Sequence, residues 1–92
     1  MKRTERRLLR IADELAGLAD QRRLAGEELI YHQHLHDDAS RDAAVSDSPI
    51  DREAQRETGG DVARVERLIA RLDARATKLE AQRQKLLSKL AD

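Results

Sequence analysis

An all-α antiparallel two-helix hairpin, a coiled coil folded back on itself, follows from three features of this 92-residue chain. Aromatic residues make up 1% and charged residues 39%, the profile of long charged helices rather than of a compact globule. Apolar residues recur in steps of three and four through both halves, the a/d pattern of a coiled coil. The only proline, Pro49, sits midway in the stretch SDSPIDREAQRE, where one helix would end and another begin.

Helix 1 is expected over about residues 3–44. Leu8, Leu15 and Leu29 form one series, and Ile11, Leu18 and Ala25 form the interleaved one, with Arg22 off the pattern. The tip is expected at about residues 45–48 and helix 2 over about residues 49–91. Ser48 is placed to cap helix 2, with Pro49 at its first position and Asp51 at its third, a close variant of the capping box. Asp51 and Glu53 complement the positive end of the helix dipole. Val65, Leu72, Leu79 and Leu86 make one apolar series of helix 2, and Val62, Ile69, Ala76 and Leu90 the other, interrupted at Arg83. Gly59-Gly60 falls within this helix, and each glycine costs roughly 1 kcal/mol there relative to alanine. A break at the pair, leaving a separate short helix before it, is the expected alternative to a continuous helix.

A single register aligns the halves. With paired residue numbers summing to 94, Leu8 meets Leu86, Leu15 meets Leu79, Leu18 meets Ala76, Ala25 meets Ile69 and Leu29 meets Val65. Arg22 then lies by Leu72 and Arg83 by Ile11, where their stems can cover the seam while the guanidinium reaches water or an acid. The chain forms one small domain, and one this small often needs oligomerisation. Ala12, Ala16, Ala19, Ala63 and Ala70 widen the apolar stripe, so a homodimer forming a four-helix bundle is the expected assembly.

Composition removes several function classes. There is no cysteine, so no disulfide, thiolate metal site or cysteine nucleophile is expected. No apolar run approaches the roughly 20 residues of a membrane span, and MKRTERRLL lacks the apolar region of a signal peptide. A cytoplasmic protein without membrane partners is expected. Arg outnumbers Lys 14 to 4, which fits a GC-rich bacterial genome. No phosphate-binding loop or nucleophile–base arrangement is present, so no enzyme and no cofactor are expected. Formal charge is zero but uneven: residues 37–61 carry three basic and eight acidic groups, and residues 62–92 eight basic and four acidic. Neutral overall charge and the lack of aromatics for base stacking argue against direct nucleic-acid binding.

YHQHLHDD contains the candidate metal ligands. His32 and His36 are four residues apart and share a helix face, with Asp37 beside them. Their spacing fixes no third ligand, so the site reading carries no metal and treats the stretch as a polar part of helix 1.

The segment SPIDREAQRE resembles the coiled-coil tip of the DksA/TraR family of bacterial transcription factors, through Pro49, Ile50, Asp51, Arg52 and Gln55. Gre cleavage factors use a similar acidic-tipped hairpin. This chain has Ser48 where the family motif has its first Asp, with Asp47 adjacent, and Glu53 where the motif has Ala. It lacks the family's zinc-finger cysteines and globular domain. The resemblance implies a non-catalytic hairpin that enters the secondary channel of RNA polymerase, with Asp47, Ser48, Asp51, Arg52 and Glu53 as the partner-binding tip. The other expectation, from the apolar stripe alone, is a structural or adaptor coiled coil acting through self-association or a protein partner.

Overall fold

The computed structural model describes residues 2–91 and is an all-α helical hairpin of two helices, α1 (Arg3–Ser46) and α2 (Pro49–Ala91). α1 runs two residues beyond the expected end at 44, so the connection shrinks to Asp47 and Ser48. α2 is continuous through Gly59-Gly60, as the unbroken alternative has it. Neither glycine has a positive φ, and the cost of two poor helix formers is small against packing along a 43-residue helix.

The contacts divide the hairpin into a base, up to Arg23 and from Ala70 onward, and a distal unit, Leu24–Ile69. In the base, Ile11, Leu79 and Leu86 form a buried cluster against which Leu8, Leu15 and Leu18 pack. Leu79 is 2% exposed, and burying one leucine stabilises by about 1.5–3 kcal/mol. Leu72 is buried as well, whereas Leu90, expected in the seam, is 47% exposed. It lies next to the last residue of α2.

The off-pattern arginines behave differently. Arg22 stays exposed, its Nε donating to Asp73 Oδ1 at 3.2 Å. Arg83 is half-buried beside Glu80, with 3.4 Å between Nε and Oε2, but the alignment leaves that buried Nε without a hydrogen bond. Arg75 also crosses to Glu14 at 2.8 Å. These half-exposed pairs are each worth about 1 kcal/mol or less, so the leucines hold the base.

The distal unit has a different interior. Ala25, Ala39, Ala43, Val65 and Ile69 are buried, and Leu29 is half-buried. Continuing the heptad past Leu29 brings His32, His36, Gln55 and Thr58 to seam positions, all half-buried. His36 Nδ1 lies 3.0 Å from Thr58 Oγ1, and these residue numbers sum to 94. Gln55 Nε2 donates to Ser40 Oγ at 3.3 Å. Thr58 Oγ1 has a single proton and gives it to the carbonyls of its own helix, Ala54 at 2.8 Å or Gln55 at 3.1 Å. With its proton so placed, Thr58 Oγ1 can accept from His36 in the Nδ1–H form of the imidazole.

Gly59 has a role in this seam. A Cβ there would lie 3.1 Å from His36 Cε1, whereas one on Gly60 would meet nothing within 4 Å. Gly59 provides the recess in which the imidazole sits.

Candidate functional site

The tip is built by a tight reversal. Asp47 takes φ of 50°, the left-handed conformation that commonly ends a helix, and is the one described non-glycine residue with positive φ. Asp and Asn tolerate this region better than most residues. Asp47 N–H donates to the Ala43 carbonyl at 2.9 Å. Arg52 then clamps the residue, its Nη1 donating to the Asp47 carbonyl at 3.1 Å and to Oδ1 at 2.8 Å.

Helix α2 starts as its sequence prescribes. Ser48 Oγ accepts from Asp51 N–H at 3.1 Å, and the backbone N–H of Arg52 bonds the Ser48 carbonyl at 3.0 Å. The return half of the capping box is different. The Asp51 carboxylate accepts from Ser46 Oγ, at the end of α1, rather than reaching the Ser48 N–H. Ser46 Oγ lies 3.5 Å from that N–H and links it to the carboxylate. The Ser46 hydrogen bond, helped by Ser48, holds the Asp51 carboxyl below its ordinary value, against a smaller opposing effect of burial.

Four of the five expected tip residues, Asp47, Ser48, Asp51 and Arg52, thus belong to one network. Glu53 stands apart from it and pairs with Arg56 along α2. The network uses its acids unequally. Asp51 is half-buried and committed to two serines, while the Asp47 side chain, though paired with Arg52, remains 80% exposed. Two residues outside the expected partner-binding set are also exposed near the turn: Val45 at 89% and Ile50 at 81%. Their signal was available, since neither falls at a seam position of its helix. The tip thus exposes a carboxylate and two aliphatic side chains close in sequence, groups suited to contact with another macromolecule.

His32 and His36 lie in the seam rather than at the tip. His36 is engaged by Thr58, and His32 Nδ1 is buried without a hydrogen-bond partner. Tyr31 packs edge-on against the His32 ring at 5.3 Å. Among the described residues no group of three or more His, Cys, Asp or Glu is placed to hold a metal, and no helix is long and apolar enough to cross a membrane. Compared with protein families, characterised proteins and solved structures, the chain matches none.

Proposed function

We propose that this protein is a non-catalytic coiled-coil hairpin whose tip binds a protein partner, and that the partner is RNA polymerase, entered through its secondary channel. The reading places the protein in a bacterial cytoplasm. The observation that carries the binding role is the exposure at the tip: Asp47 in the two-residue turn, Val45 before it and Ile50 after it. The choice of polymerase rests on the resemblance of SPIDREAQRE to the DksA/TraR tip. Exposed aliphatic side chains offer a partner apolar area to bury, and the carboxylate offers a charge to complement. Asp47, rather than Asp51, is the carboxylate more accessible to a partner.

Transcription in vitro with the cognate polymerase tests this. Wild type changes the output, Asp47→Asn reduces the response, and Val45→Ser/Ile50→Ser weakens binding. Asn tolerates the left-handed turn, so loss of response in Asp47→Asn reports the carboxylate rather than misfolding. An unchanged transcript profile at saturating wild-type protein removes the polymerase reading.

A second reading, an adaptor coiled coil acting through self-association, is favoured by a separate observation. Leu9, Leu24, Ile30, Tyr31 and Leu87 are exposed away from the tip.

A further inference from the structure

The heptad that builds the seam leaves another face on α1. In the base this face carries Arg3, Leu9, Arg10, Ala16 and Gly17. In the distal unit it carries Leu24, Ile30, Tyr31, Asp37 and Asp38. All ten residues are exposed and none is at a seam position. Leu24, Ile30 and Tyr31 are more than half exposed, and Leu9 lies with Arg3, Arg6 and Arg10 around a shallow depression.

Gly17 is unexplained within the chain. Glycine is the poorest helix former after proline, yet no positive φ requires it and nothing lies within 4 Å of where its Cβ would stand. A close approach from outside the chain would account for it.

Charge indicates what approaches. The base carries 13 basic and 7 acidic residues, a formal +6, and the distal unit 5 basic and 11 acidic, a formal −6. Four residues of each stripe also match in one register. Arg3, Arg10 and Gly17 recur every seven positions, as do Leu24, Tyr31 and Asp38. Laid antiparallel, Arg3 meets Asp38, Arg10 meets the Tyr31 ring and Gly17 meets Leu24. Leu9 meets Ile30 in the adjoining row, and Asp37 flanks Arg3. These are an ion pair, a cation–π contact, a large side chain over a small residue, and an aliphatic pair.

We infer that this face binds a second copy of the chain, the base stripe of one copy docking antiparallel on the distal stripe of the other. The inference rests on the self-association reading and gives it a surface and a polarity. Each copy carries one stripe of each kind, so the same two surfaces meet at every such contact. Opposed charge sets the register, and the apolar centre supplies affinity. The exposed pairing of Asp38 with Arg41 is weak enough to exchange for Arg3.

Sedimentation across a concentration series, at low and high salt, tests this on the full chain. Wild type should be a dimer whose dissociation constant rises with salt. Arg3→Glu/Arg10→Glu and Asp37→Lys/Asp38→Lys should each weaken association by about tenfold or more, and mixing the two variants should restore it, because reversed charges then meet. Gly17→Gln should raise the melting temperature of the isolated hairpin through helix propensity while weakening dimerisation, opposite signs that misfolding does not produce. A monomeric wild type overturns both this inference and the self-association reading. A wild-type dimer indifferent to salt, to both charge variants and to Gly17→Gln overturns this inference alone, because the copies then meet elsewhere.

Discussion

Gly59→Ala sets two quantities of similar size against each other. Replacing a helical glycine by alanine stabilises by roughly 1 kcal/mol through propensity, and Gly60→Ala should show that gain undiminished because its Cβ enters open space. At Gly59 the Cβ would arrive 3.1 Å from His36 Cε1, inside the roughly 3.5–4.0 Å of comfortable carbon contact. The imidazole must withdraw by a few tenths of an ångström, but it is tied to Thr58 at 3.0 Å. Weakening that bond forfeits about 0.5–1.5 kcal/mol. Gly59→Ala should therefore be near neutral, and about 1 kcal/mol less stable than Gly60→Ala. In a His36→Ala background the clash has no target and the two alanines should stabilise equally. Urea unfolding followed by circular dichroism, at one fixed protein concentration because association contributes to stability, measures the full cycle. Equal gains from Gly59→Ala and Gly60→Ala in the otherwise wild-type chain would refute the seating of His36 on Gly59.

Two further expectations follow from the base and the tip. Leu79→Ala removes a side chain that is 2% exposed and should cost about 2–5 kcal/mol, whereas Leu90→Ala, at 47% exposed, should cost well under that; comparable losses in urea unfolding would contradict the packing described. Asp51 has a depressed carboxyl value in the folded chain, so its hydrogen bonds contribute fully above the unfolded value near 3.8 and their contribution is lost as pH falls through the lower folded value. A carboxyl-detected NMR titration should place its midpoint below 3.8 and shift it upward in Ser46→Ala; a wild-type midpoint at or above 3.8 would show that Ser46 does not hold the carboxylate.

The base was legible because leucine at seven-residue spacing both identifies a helix face and supplies its burial. The distal seam follows the same spacing with His32, His36, Gln55 and Thr58, so an apolar criterion stops at Leu29 although the geometry continues. Ala39 and Ala43 are buried by their small size, a property that hydropathy reports weakly. Gly59 looked like a helix breaker because its use lies on the opposite helix, at His36. At the tip, Ser48, Pro49 and Asp51 were readable as a helix start through local stereochemistry. The bond from Ser46 to Asp51 was not, because it depends on α1 running on to Ser46. Val45 and Ile50 are uncharged, so a tip read through its charged residues does not select them as contacts.

The two-residue turn also sets the order in which contacts become affordable. Ser40–Gln55 and His36–Thr58 close loops of 15 and 22 residues, while Arg22–Asp73 and Glu14–Arg75 close loops of 51 and 61. Loop-closure entropy grows by about 0.6 kcal/mol per doubling of length, so the widest of these closures is disfavoured by about 1.2 kcal/mol against the shortest when each forms from the open chain. Once the Asp47 reversal and the polar seam are in place, that difference largely disappears, because the ends are already brought together. The polar pairs nearest the turn therefore close the shortest loops, while the leucine cluster of the base joins residues far apart in the chain.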